Sequence, residues 1–321
     1  MKIKFIKWEW NNNYCVFSSE EYLLSQSESY GWIGGFIDEK LVFVIPYIEE
    51  SKLLIRYIYF TSDLIQISSF NDTNLFYKSL IKFLSNLNFA FLAQQPPQAL
   101  SLNKPKEVIS APFGSYRINL LLPEEQLWGK LHVKHRNVIR NSIKKDVVVE
   151  INSNNYEVLF ELMNETMNRS NMSFLNKTDF VLYMNKMEGK QISFISYYHG
   201  VPQGCAIIPF SQHAAYYSYG GSIRKPLTGA INYMHWEAIK YFKNEGVRIY
   251  DFVGARINPI KGSKQEGLQR FKSRFGGDLV TGFLWKKPIS KFQYNMFRFL
   301  QKCKKRDFNF NHDIIDQELK R

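Results

Sequence analysis

Two stretches in the second half of this 321-residue chain place charged side chains where they could do chemistry. In Tyr250-Asp-Phe-Val-Gly254 the carboxylate of Asp251 stands at the end of a short apolar run that reads as a buried strand. A strand end opening on a loop is where α/β folds set functional groups, although capping a neighbouring helix would use an aspartate equally well. In Gly267-Leu-Gln-Arg-Phe-Lys-Ser-Arg-Phe-Gly-Gly277, Lys272 lies between Phe271 and Phe275. That flanking desolvates its stem and leaves the ammonium to meet a developing oxyanion or a carboxylate; the plainer alternative is a surface lysine on an amphipathic helix.

Residues 127–145 read as one helix. Trp128, Leu131, Val138, Ile139 and Ile143 share one arc, and Lys130, Lys134, Arg136, Arg140, Lys144 and Lys145 share the opposite one. Six like charges on one face repel unless they are solvated or met by phosphates, for which arginine offers a fork and lysine a point charge. A third stretch, Tyr216-Tyr-Ser-Tyr-Gly-Gly-Ser222 and then Arg224 to Ala230, leads into a helix. Gly229 and Ala230 at its start are candidates for holding a pyrophosphate against free backbone N–H groups, although a Gly-rich stretch before a helix is more often only a turn.

Other chemistries lack their residues. No phosphate-binding loop, dinucleotide fingerprint, His-Glu-x-x-His or nucleophile-elbow pattern occurs. The histidines are scattered. His132 and His135 share a helix without further ligands nearby, and both read as surface residues rather than metal ligands. Cys15, Cys205 and Cys303 are odd in number and far apart, which predicts neither a disulfide framework nor a zinc site.

Composition bounds the partners. Lys and Arg number 42 against 29 Asp and Glu, and the resulting +13 points to something anionic. With 45% hydrophobic and 22% charged residues, collagen-like, wholly disordered and coiled-coil classes are excluded. At about 150 residues per domain the length predicts two domains, or one large one. The N-terminus alternates like a strand and resembles no signal peptide, and no window reaches the about 18 apolar residues of a membrane-spanning helix. The expectation is a reducing, cytoplasmic protein.

The elements that must position these residues follow from periodicity and turn signals. Strands at 41–46 and 53–60 and a helix at 73–87 precede a Gln/Pro seam at 94–98. A strand at 117–122 leads into a helix opened by Pro123. Helices at 156–169 and 178–187 are followed by strands at 191–198, 204–210 and 214–219, the first two joined as a hairpin. A helix to about 243, with Ile231, Met234, Ala238, Tyr241 and Phe242 on one face, precedes a strand at 247–253. A helix at 265–274, a strand at 279–285 and a helix at 290–305 close the chain. The order predicts an α/β (α+β) fold, a mixed sheet with helices on its faces.

Taken in order, three segments resemble the Fem-type branch of the GNAT-fold acyltransferases, which includes the peptidoglycan interpeptide-bridge aminoacyltransferases. They are Trp128 with Arg136-Asn-Val-Ile-Arg140-Asn-Ser-Ile-Lys-Lys145; Gly229-Ala with Trp236-Glu-Ala-Ile-Lys240 and Gly246-Val-Arg-Ile-Tyr-Asp-Phe-Val-Gly254; and Gly267-Leu-Gln-Arg-Phe-Lys-Ser-Arg-Phe-Gly276. The resemblance covers residues 120–285. It implies two GNAT-like lobes, each a mixed sheet flanked by helices: 1–120 and 121–289, with a basic tail at 290–321. It implies transfer of an acyl or aminoacyl group to an amine of a cell-envelope precursor, sugar or peptide. Lys272 falls on the lysine that the family associates with catalysis, stabilising the oxyanion or orienting the acyl end. Asp251 would then orient or deprotonate the amine, Arg136 and Arg140 hold phosphates, and Tyr219, Phe271 and Arg274 contact substrate. Gly229 and Ala230 would hold donor phosphates.

No bound cofactor or metal is implied, only a co-substrate, acyl-CoA or aminoacyl-tRNA. Arg224 to Ala230 is longer than the CoA-gripping [QR]-x-x-G-x-[GA] pattern, and no heptad segment supplies the coiled-coil arm of many tRNA-using members, so both donors stay open. Rival readings are a non-enzymatic, basic nucleic-acid-binding protein, favoured by charge and aromatics, and a degenerate GNAT scaffold. In the last helix Phe292, Met296, Phe299, Leu300 and Cys303 share a face, with Lys291, Arg298, Lys302, Lys305 and Arg306 beside or opposite it. Such a helix suits either docking on the core or peripheral contact with the inner face of an anionic membrane beside a lipid-linked acceptor.

Overall fold

A computed structural model describes residues 1–52, 54–305 and 313–321. The chain divides into two compact units, one of Met1–Trp10, Phe17–Gly114 and Thr281–Arg321, the other of Asn11–Val16 and Ser115–Val280. The mixed α/β architecture expected from the sequence is what each unit shows. Residues 290–305, expected in a separate tail, fold within the first unit.

The first unit begins with β1 (Lys2–Ile6), α1 (Glu20–Gln26), β2 (Tyr30–Ile37), β3 (Lys40–Lys52), β4 (Ile55–Phe60), β5 (Ile65–Gln66), α2 (Thr73–Asn86) and β6 (Phe91–Leu92). Leu53, the first residue of one expected strand, lies outside the described residues. Strands β1 to β4 pair antiparallel in sequence order, and β6 joins β4 in parallel, with Tyr57 opposite Phe91. Asp72 caps α2 by accepting from the Leu75 N–H, and Phe76, Leu80 and Leu84 seal the helix onto Ile33, Phe43 and Phe60.

The chain enters the second unit within β7 (Ile109–Asn119). It continues through α3 (Glu124–Lys130), α4 (Val133–Lys144), β8 (Val148–Ile151), α5 (Tyr156–Arg169), α6 (Lys177–Lys186), β9 (Gln191–Tyr198), β10 (Val201–Pro209), β11 (Ala215–Tyr216), β12 (Tyr219–Ser222), α7 (Ala230–Asn244), β13 (Ile249–Asp251), β14 (Ala255–Arg256) and α8 (Lys264–Ser273). Within β15 (Asp278–Pro288) it returns to the first unit, where α9 (Lys291–Lys305) and α10 (Ile314–Leu319) complete it.

Two sheets share the second unit. One runs β12-β10-β9-β8, all antiparallel, and its hairpin turns at His199–Gly200 as the sequence predicts. In the other, β13 lies between β7, antiparallel with Asp251 opposite Arg117, and β11, parallel with Ala215 opposite Tyr250. The single strand expected at 214–219 is therefore split: its first part pairs with β13, and after Tyr217–Ser218 the chain crosses to pair with β10. Helix α7 buries Met234, Ala238, Ile239 and Phe242 against Phe194, Ala206 and Ile208.

The helix expected at 127–145 is also split. Leu131 and His132 are extended (ψ 135° and 141°), the His132 N–H donates to the Arg274 carbonyl at 2.9 Å, and His132 Nδ1 accepts from the Lys134 N–H at 3.1 Å. These bonds terminate α3 and start α4 without a proline. The break rotates the expected apolar arc, so Leu131 and Ile139 are buried whereas Ile143 is exposed.

Candidate active site

Asp251 ends β13 and is almost wholly buried, at 2% exposure. Burial of a carboxylate is tolerated only when it is paired and hydrogen-bonded, and here it is. Oδ2 accepts from Arg117 Nε at 2.7 Å; Oδ1 accepts from the Val253 N–H at 2.8 Å and from the Ser115 hydroxyl. Three donors thus hold a group that offers about four lone-pair sites. The bond to Val253 closes an Asx-type turn and fixes the next two residues.

Those residues are both left-handed, Val253 at φ 44° and Gly254 at φ 75°. Glycine adopts this conformation freely, whereas a β-branched residue there is an outlier costing of the order of 1–3 kcal/mol. The conformation turns two successive carbonyls the same way. Both accept from Lys272 Nζ, that of Gly254 at 2.8 Å. An ammonium has three donors, so one N–H remains after these two bonds. Burial pushes the amine down to about 8, against the pull of the Asp251 charge in the other direction.

Helix α8 delivers Lys272. Its start is set by Ser263, which accepts from the Glu266 N–H at 3.2 Å, while Glu266 reaches back to the Gly262 N–H at 2.7 Å, a local pattern close to a capping box. Behind the lysine, Phe271 and Phe275 pack with Phe252 and two histidines. His235 lies 5.6 and 5.5 Å from the two rings, and His135 lies 4.7 Å from Phe275.

His235 Nδ1 is 2.8 Å from the Tyr250 hydroxyl, and its Nε2 is buried without a hydrogen-bond partner, as is His135 Nδ1. Burial drives His235 down to about 3 and His135 to about 4, so both imidazoles are neutral near pH 7. The surface role expected for His135 is corrected accordingly, and His235 was not singled out. Its signal was present: Ile231, His235, Ile239 and Phe242 recur at helical spacing on the buried stripe of α7, and His135 and Ile139 do so in α4. Below the ordinary value of 6.5 the unfolded chain takes up protons that the folded imidazoles refuse. Stability is therefore expected to fall as pH drops from 6.5 towards 4.5, and the urea midpoint of a His235→Phe variant should fall less steeply over that window.

The other expected site residues have defined places. Arg136 donates to the carbonyls of Gly129 and Leu131 at 2.8 and 2.7 Å and so clasps the junction between α3 and α4. Arg140 lies over the Trp128 ring at 5.4 Å with its charge exposed. Gly229 and Ala230 are buried. A Cβ on Gly229 would meet the Val138 carbonyl oxygen at 2.4 Å, and its φ is 97°, so this glycine permits close approach of α4 and α7 rather than of an anion. Tyr219 packs edge-on against Tyr183 at 5.7 Å. Arg274 caps the end of α8, and its carbonyl receives the His132 N–H. Asp251 and Lys272 therefore meet at one turn, with Phe271 behind it, whereas Arg136, Arg140 and Gly229 build the α3–α4–α7 contact. Among the described residues no group of three His, Cys, Asp or Glu is placed to hold a metal ion.

A sequence model of the FemAB family matches residues 201–302, which include the Asp251 turn and Lys272. Aminoacyltransferase FemA of Staphylococcus epidermidis is 24% identical over 201 residues, 60% of this chain and 45% of that protein, so the chain matches less than half the length of that relative. Lipid II:glycine glycyltransferase of Staphylococcus haemolyticus is 31% identical over 97 residues, 30% of this chain and 22% of that protein. The crystal structure of FemX superposes with a TM-score of 0.67 at 13% identity, covering 92% of this chain and 99% of that one. Residues 201–302 thus match the FemAB family model, and the chain shares the fold of FemX.

Proposed function

We propose that this chain transfers an aminoacyl group from the ester of an aminoacyl-tRNA to an amine of a cell-wall precursor. In that reaction the neutral amine attacks the ester carbonyl, a C–N bond forms, the C–O bond to the ribose breaks, and the proton lost by the amine ends on the ribose oxygen. The tetrahedral intermediate carries an oxyanion, and a preorganised donor aimed at it is the largest aid a protein can give. The observation that carries the reading is the seat of Lys272: two carbonyls fix its ammonium, and its third N–H remains for the oxyanion. Asp251, engaged by Arg117, Ser115 and Val253, acts as a positioning residue that holds those carbonyls.

The names of the staphylococcal relatives support an aminoacyl donor and a lipid-linked acceptor. The test supplies the purified chain with a lipid-linked peptide acceptor and either labelled aminoacyl-tRNA or labelled acyl-CoA. Label from the tRNA should appear in a base-stable amide. Transfer from acyl-CoA alone would replace the donor, and transfer from neither would overturn the reading.

A further inference from the structure

We propose that α9 docks this chain on the surface of an anionic lipid bilayer. The helix has two apolar faces. Tyr294 and Phe297 are buried against Ile55, Tyr57 and Phe91, so the core-docking expected for this helix uses residues other than the stripe noted in the sequence. That stripe is left to solvent: Phe292 is 76%, Phe299 57% and Met296 37% exposed, with Cys303 exposed beside them.

At 100° per residue these four positions share a narrow sector. Lys291 and Lys302 fall to one side of it and Lys304 to the other; Arg306 lies outside the described residues. Between Lys291 and Lys305 there is no acidic residue. Arg298, on the inner side, is paired with Asp316 at 3.0 Å, so the outward lysines carry the charge of this face. Aromatic and thioether side chains in a row, flanked by ammonium groups on flexible stems, match the boundary between acyl chains and anionic headgroups. No helix among the described residues is long and apolar enough to cross a membrane, so the contact is interfacial.

The inference rests on the transferase reading only for its purpose, a lipid-linked acceptor. Its test therefore uses vesicles that contain no acceptor. The full chain should sediment with phosphatidylcholine vesicles containing phosphatidylglycerol and much less with phosphatidylcholine alone. Phe292→Ser with Phe299→Ser should lower partitioning by about tenfold or more through lost apolar insertion. Replacing Lys291, Lys302 and Lys304 by Gln should lower it by the order of a hundredfold on the anionic vesicles, with little change on the neutral ones. All five side chains lie outside the core, so the thermal midpoint should hold. A Phe299→Trp variant gives a second readout, an indole emission that shifts to the blue on anionic vesicles. Absence of sedimentation by the unmodified chain, equal binding by the serine variant, or an unshifted indole would overturn the proposal. A dimer that the serine substitutions dissolve, without vesicle binding, would assign the stripe to a second copy instead.

Discussion

Replacing Lys272 with alanine is expected to lower the transfer rate by about 10²–10³-fold, the usual consequence of removing one preorganised oxyanion donor. The loss should fall on kcat and on kcat/KM alike, because the interaction arises only when negative charge develops. Arginine should not restore the rate. Its planar fork is longer than an ammonium, and the two carbonyls of Val253 and Gly254 are spaced for one nitrogen. The pH profile gives the sign. With the lysine held down to about 8, a cationic donor is mostly charged at pH 7, and the rate should fall as pH rises through about 8. Because the acceptor amine loses its own proton in this range, the sign is read from the ratio of the unmodified to the Lys272→Ala rate, and a ratio that rises through the same pH would make the lysine a base instead. The alanine variant should keep its melting temperature or gain slightly, since it removes a desolvated charge; full activity in that folded variant would remove Lys272 from the mechanism.

The second large effect is on stability. Changing Asp251 to asparagine keeps its shape and removes the charge that Arg117 faces. Breaking such a pair typically costs about 3–5 kcal/mol when both partners are buried. Here the arginine is 27% exposed and water screens part of it, so about 2–4 kcal/mol is the expectation. A chemical denaturation midpoint measures this, and a cycle with Arg117→Met should show that the two losses do not add. The same variant should slow transfer even where it is folded, because the Asx turn that aims the two carbonyls at Lys272 is weakened. Asparagine at wild-type stability would show that Ser115 and the Val253 N–H suffice to hold the turn.

Much of this site was legible in the sequence. The helix carrying Lys272 and the short strand ending in Asp251 could be read locally, because apolar runs and strand ends are local signals, whereas the meeting of the two at one turn is tertiary. So could the hairpin at His199–Gly200 and the 14 residues of α5. The break between α3 and α4 was not legible, since it is imposed by a bond from His132 to the carbonyl of Arg274, more than a hundred positions away. For the same reason the strand at 214–219 read as one element: which half pairs with β10 and which with β13 is decided by long-range partners. The buried histidines were misjudged because composition makes histidine polar, while its position on an apolar stripe makes it core. Charge was legible as a total but not by role, and Arg136 illustrates this. Its Nη1 is bound to two carbonyls at a helix junction, a structural role that net charge does not reveal.

The crossing of residues 215–222 from one sheet to the other has a mechanical consequence. Tyr217 donates its N–H to the Asp251 carbonyl at 2.8 Å, and three residues later Gly220 is paired with Ala206 of the second sheet. One short length of backbone is therefore clamped at both ends by separate sheets. Neither can open there without dragging the strap that ties it to the other, so the turn that seats Lys272 is coupled to both sheets. The bonds at the corner itself are thus backed by a tether shared with the second sheet.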